Sequence, residues 1–173
     1  MKISMFSLLV LSFSAEAEMV AIKSNHNIQL IKTRHIRTVD HIKHRLITHE
    51  DIKRVIKLSS YQYKVDERLV YAIMRTESNF KPNAISSKGA IGLMQIMKPT
   101  GDWLNVKDLT DYRQNVDGGV RYLKFLCKLF KNDISLVAAA YNAGQNAVIS
   151  NGYKIPNYPE TQQYVKTVLS YYH

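Results

Sequence analysis

A carboxylate on an apolar helical stripe is the residue of this chain best suited to acid–base work. Within residues 66–78, Val70, Ile73, Met74 and Glu77 recur at the i, i+3, i+4, i+7 spacing of one helical face. Burial beside Ile73 and Met74 disfavours the ionised form. The pKa of Glu77 is therefore expected to rise toward neutrality, where a carboxylic acid can hold a proton and donate it. Periodicity alone leaves a second reading equally open, a glutamate near a helix end whose head group escapes to water. Other polar groups interrupt apolar runs further on. Gln95 stands inside residues 93–97, and Tyr141 and Asn142 follow three alanines just before Gly144. A phenol and an amide at a helix end are poor core material and good orienting donors. Glu160, directly after Pro159, is stabilised by the dipole of the helix it opens, whatever else it does.

The elements that must position these groups read as helices. Thr48 with Asp51 forms a capping pair before Ile52, Val55 and Ile56, so the folded part is expected to begin at residue 48. Asp66 caps the helix that carries Glu77. A loop over 81–88 and a mixed segment over 89–104 follow, then helices over 117–130, 133–142 and 160–172. Strand signals are almost absent, and Asn151 with Gly152 reads as a turn between helices. The expected fold is mainly α, with loops carrying the polar chemistry. Cys127 falls on the apolar face of a helix with Val120, Leu123, Leu126 and Phe130. It is the one cysteine, so it reads as an inert buried thiol and no intrachain disulfide can form.

Composition bounds the remaining choices. The chain has 173 residues, room for one domain and an appendage, and its 46% hydrophobic content suffices for a single core. Lys2, an apolar run over 3–13 broken only by serines, and Ala15 and Ala17 around Glu16 match a secretory signal peptide over 1–17, cleaved after Ala17. That run is too short for a spanning helix, so no stable membrane span is expected after cleavage. Residues 18–47 hold six Lys or Arg against Glu18 and Asp40, a net +4, and read as a basic linker or an arm for a polyanion. His26, His35, His41 and His44 lie in this arm, but no Cys or acidic cluster completes a metal site, and neither metal nor cofactor is expected. The overall charge of +10 raises a nucleic-acid reading. No nucleic-acid motif accompanies the charge, and a cell wall rich in carboxylates and phosphates is an adequate polyanion.

Four separated motifs identify a family. Glu77 and Ser78, then residues 89–97 (GAIGLMQIM), then residues 139–144 (AAYNAG), then Glu160, Thr161, Tyr164 and Val165 occur in this order. Together they resemble the soluble lytic transglycosylases that share the goose-type lysozyme fold, and the resemblance covers 48–173. Lys98 stands before Pro99 where the family usually has Pro directly after the methionine, and Gly101 and Asp102 replace small apolar residues. These departures touch local loop geometry.

The resemblance implies a peptidoglycan lytic transglycosylase with Glu77 as its general acid and base. It implies Ser86, Gln95, Met97, Tyr141 and Asn142 as residues that position the sugar or the acid, with Ser87 leaving a one-residue ambiguity at the serine. For Glu160 it implies a place in the substrate groove, a reading comparable in weight with the dipole one. Gly89 and Gly92 would bring backbone close to a sugar ring or serve as ordinary turn residues. Most glycosidases need two carboxylates, yet no Asp or Glu lies between Glu77 and Asp102. A single acid suits a reaction in which the substrate's own hydroxyl attacks. The alternatives are a hydrolytic lysozyme on the same fold and a non-enzymatic peptidoglycan-binding module. The expected partner is the glycan strand, in the periplasm or outside the cell. A small catalytic module behind a leader also resembles the specialised enzymes of secretion, conjugation or pilus machines.

Overall fold

The computed structural model describes residues 8–11, 19–24, 27–32 and 47–173. The chain divides into two compact units between Leu46 and Ile47. In the first, strands β1 (Leu8–Leu11), β2 (Met19–Ser24) and β3 (Asn27–Lys32) form an antiparallel sheet in the order β1-β2-β3. Leu8 pairs with Ile22 and Leu11 with Met19, and Val20 pairs with Ile31. These strands depart from the reading that strand signals are almost absent. Val20, Ile22, Ile28 and Ile31 supply β-branched residues, but 8–11 and 19–22 are continuous apolar runs and do not alternate, so they display no period of two. The cleavage point after Ala17 and the four arm histidines lie outside the described residues.

The second unit is helical. Its first helix, α1 (His49–Tyr63), starts with the expected capping box: Asp51 N donates to Thr48 Oγ1 at 3.2 Å and Thr48 N donates to Asp51 Oδ2 at 3.0 Å. Lys64 in the left-handed region ends it. Next comes α2 (Glu67–Ser78), capped by Asp66, which accepts from Arg68 N at 2.9 Å. Asn79, also left-handed, turns the chain into the loop over 80–97.

The mixed segment resolves into that loop and a short helix, α3 (Lys98–Trp103), with Pro99 in its first turn, where a missing N–H costs nothing. Helix α4 (Tyr112–Leu129) begins five residues before the expected start. Asp111 is its cap and accepts from Arg113 N and Gln114 N. Gly118 and Gly119 are poor helix formers. They lie inside α4 because neighbours press on them: a Cβ at Gly119 would meet Met94 at 2.7 Å, and one at Gly118 would meet Val106 at 2.6 Å.

The chain closes with α5 (Ile134–Ala143), α6 (Gln145–Ser150) and α7 (Pro159–Tyr172). The sequence reading contained no α6, a single turn and a half between two other helices. Helix α7 packs on α2 and α5, and α1 packs on α4. Between them lies one core, built on Leu69, Ile73, Met74, Leu93, Met94, Val120, Leu123 and Val137. Ala138, Ala139 and Ala140 are all fully buried, as expected of small residues under a close helix contact. Cys127 is buried, and burial raises its thiol pKa. Among the described residues no helix is long and apolar enough to cross a membrane.

Candidate active site

Three helices bring acid and phenols together. Glu77 lies in the last turn of α2 and is partly buried, while Ile73 and Met74 beneath it are fully buried. Burial pushes its carboxyl up to about 7 from an ordinary 4.5, and the hydrogen bond from Tyr164 pulls the other way. That bond comes from α7, where Tyr164 Oη donates to Glu77 Oε1 at 2.6 Å. From α5, Tyr141 Oη donates to the carbonyl oxygen of Met94 at 2.8 Å. Burial raises the Tyr141 phenol well above its usual range, and the charge of Glu77 raises it further. The same two causes, in the same order, act on Tyr164. Both phenols therefore remain protonated donors beside the acid.

The loop over 80–97 is fixed from inside. Ile91 bridges to Ile85 and to Ile96, and Gly92 N donates to Ala84 O at 2.8 Å. Ser78, buried beside Glu77, donates to Leu93 O at 2.8 Å, tying the end of α2 to the loop. Asn115 of α4 does more. Its Oδ1 accepts from Met94 N at 2.8 Å, and its Nδ2 donates to Ile91 O at 2.8 Å and to Leu109 O at 3.0 Å. Gly92 must be glycine here: its φ is +79°, and a Cβ would lie 2.4 Å from Asn115 Nδ2.

The residues singled out in the sequence divide by place. Tyr141 lies close enough to Glu77 for the carboxylate charge to act on its phenol, and Asn142, the next residue, accepts at Oδ1 from Thr161 Oγ1 of α7 at 2.8 Å. Gln95, with φ of +46°, braces the loop by donating from Nε2 to Gly92 O at 2.8 Å and to Ala84 O at 3.1 Å. Ser86 Oγ accepts from Ala90 N at 3.0 Å and closes a turn. Met97 caps α3 and is 41% exposed. Glu160 is exposed at the start of α7, with its carboxylate 3.5 Å from Lys88 Nζ of the loop.

The sequence reading missed Asn115 and the pairing of Tyr164 with Glu77. Both carry a signal like the one that singled out Glu77, a polar group on a buried helical stripe: Asn115 with Tyr112 and Leu123, and Tyr164 with Thr161 and Val168. Among the described residues no group of three His, Cys, Asp or Glu could hold a metal ion.

The sequence model of the transglycosylase SLT domain matches residues 54–162, which include Glu77, the loop, Tyr141 and Asn142. The chain belongs to the SLT domain family. Membrane-bound lytic murein transglycosylase C of Haemophilus influenzae (strain PittEE) is 35% identical over 113 residues, covering 55% of this chain and 32% of that protein. A transglycosylase of Enterobacteria phage PRD1 is 36% identical over 104 residues, covering 60% of this chain and 38% of that one. Among solved structures, an inactive mutant of the lytic transglycosylase Slt from Pseudomonas aeruginosa superposes with a TM-score of 0.62 at 26% identity, covering 79% of this chain and 26% of that one. The complex of a 70-kDa soluble lytic transglycosylase with bulgecin A gives 0.63 at 29% identity, covering 79% and 25%. The chain thus spans about a third of the length of the curated relatives it matches. The helical unit of this SLT domain protein has the lysozyme-like lytic transglycosylase fold, mainly α as its sequence implied.

Proposed function

We propose that the helical unit is a peptidoglycan lytic transglycosylase, with Glu77 as the group that moves the proton. The observation that carries this reading is a lone carboxyl held protonated near neutrality by burial while a phenol grips one of its oxygens. No other carboxylate is among the causes that shift it. That is the charge pattern a single-acid mechanism requires. Relatives named as lytic transglycosylases, one of them solved with bulgecin A, support the same chemistry.

In the proposed reaction Glu77 gives its proton to the oxygen between N-acetylmuramic acid and N-acetylglucosamine as the bond from muramyl C1 to that oxygen breaks. The carboxylate left behind takes the proton of the muramyl C6 hydroxyl, and the C6 oxygen closes onto C1. Atoms balance without water: one bond from C1 to oxygen is lost and another formed, and Glu77 ends protonated. Tyr164 holds Oε1 and leaves the second carboxyl oxygen for the substrate. Tyr141, Asn142, Gln95, Ser86, Met97 and Glu160 are proposed as groove residues. For Gln95 and Ser86 that role works through loop shape, given the bonds they already make. The groove as proposed takes neither metal nor cofactor.

The leader over 1–17 would export the chain to the periplasm or beyond, and the arm over 18–47 would hold it to the anionic wall. Service to a secretion, conjugation or pilus machine is a finer proposal, which rests on resemblance to the specialised enzymes of such machines alone. The test of the reaction is digestion of isolated sacculi with mass analysis of the products. Anhydro muropeptides, lighter by one water than hydrolysed ones, are expected. Reducing-end products alone would make the chain a lysozyme, and intact sacculi would leave it a binding module.

A further inference from the structure

Trp103, the last residue of α3, is 56% exposed, unusual for the largest apolar side chain. It is not loose. The indole stands edge-on to Phe125 at 5.2 Å and to Tyr122 at 6.2 Å between ring centroids. The adjoining Leu104 is buried, and its carbonyl oxygen accepts a hydrogen bond from Arg121, which Asp117 holds at 2.8 Å. Tyr122 in turn packs against Tyr141 at 5.4 Å. A row of rings therefore leads outward from the phenol beside Glu77, through Tyr122, to an exposed indole.

We propose that Trp103 is a stacking platform for a sugar ring of the glycan strand, at the outer end of the aromatic row that starts at Tyr141. The proposal rests on the glycan-cleaving reading of Glu77 and extends it to substrate length. A pyranose has an apolar C–H face bounded by hydroxyls, so it suits one rigid ring set among polar groups better than a broad apolar surface does. Trp103 has such surroundings: Lys98 and Asp102 form an exposed ion pair on the same short helix. Lys124, next to Phe125, is exposed as well. A lipid surface or a protein partner would call for a wider apolar patch around the indole. Because the ring is already held by Phe125, Tyr122 and the clamped Leu104, little freedom is lost when a sugar settles on it. Strands long enough to reach from Glu77 to Trp103 gain this contact and short fragments do not.

The chain has one tryptophan, so its fluorescence reports on this position alone. The full chain carrying Glu77→Gln, titrated with the hexamer of N-acetylglucosamine, is expected to give a saturable shift in tryptophan emission, and the disaccharide none. In the otherwise wild-type chain, Trp103→Ala should raise KM for soluble uncrosslinked glycan strands about tenfold, with kcat within about twofold. Trp103→Tyr, which keeps a ring against Phe125, should recover most of the loss. If Trp103→Ala does not fold, Trp103→Tyr and the emission titration decide. Emission that does not move at hexamer concentrations that inhibit digestion, or an unchanged KM in Trp103→Ala, overturns the platform. A response to free stem peptide in place of the sugar hexamer overturns it too. Failure of the wild type to release anhydro products would overturn the reading of Glu77 instead, and the emission titration would still decide the platform.

Discussion

A proton on Glu77 has consequences for rate and for stability. The group must be protonated to donate, so kcat/KM on sacculi or glycan strands should fall as pH rises through about 7, the value to which burial lifts this carboxyl. Stability changes in the same direction. The folded pKa lies above the ordinary 4.5, so between about 4.5 and about 7 the native state binds more protons than the unfolded chain. Stability should therefore fall as pH rises through that window, by up to about 3 kcal/mol. Glu77→Gln should abolish this slope and raise the melting temperature at pH 8, while reducing sacculus digestion by at least about a hundredfold. A Glu77→Gln protein with near wild-type digestion would end the assignment. Tyr164→Phe tests the hydrogen bond to Oε1. That bond favours the carboxylate, so its loss should move the alkaline limb of the pH–rate profile upward. An unmoved limb would mean that the bond does not tune the acid.

At the scale of elements, the loop over 80–97 has little regular structure of its own and takes its shape from α4. Asn115 makes three hydrogen bonds, to Met94, Ile91 and Leu109, from a fully buried position. Asn115→Ala leaves those backbone groups without partners and should cost about 2–4 kcal/mol in denaturant unfolding. Gly92→Ala should be nearly as damaging, by more than about 2 kcal/mol, since it combines a φ of +79° with a clash against Asn115. A loss below about 0.5 kcal/mol in either variant would show that the loop holds its shape without α4. Both changes displace the carbonyl oxygens of Met94 and Leu93 that anchor Tyr141 and Ser78. Activity should therefore decline in conditions where the protein is still folded.

For the whole molecule, charge is the relevant quantity. The arm over 18–47 carries a net +4 on its own, and the chain +10. If the arm is a tether, removing it should leave turnover of soluble glycan nearly intact and weaken retention on sacculi. Screening provides the control, because the Debye length falls from about 10 Å at 0.1 M salt to about 3 Å at 1 M. Binding of the full chain should drop with salt more steeply than binding of the truncated one, as read by sedimentation with sacculi. Equal salt dependence would refute the tether. Loss of activity on soluble glycan would show that the arm supports the helical unit.

The sequence by itself determined the helices with strong ends and a clear apolar stripe. Thr48 with Asp51 and Asp66 set the starts of α1 and α2, and Val70, Ile73 and Met74 made Glu77 conspicuous. These signals are local, written within one or two turns of chain. It also determined the family, because the motifs around Glu77, residues 89–97 and residues 139–144 are each short and contiguous. Only the tertiary structure decided what depends on pairs far apart. Glu77 and Tyr164 are separated by 87 residues, Tyr141 and Met94 by 47, and Asn115 and Ile91 by 24. The place of Gly118 and Gly119 inside α4 belongs with them, since the side chains of Val106 and Met94 that press on these two glycines come from other parts of the chain. Whether Glu77 faced water or was buried was equally open from periodicity. Packing of α7 on α2 decided it, because desolvation belongs to the surroundings of a side chain and not to its own helix.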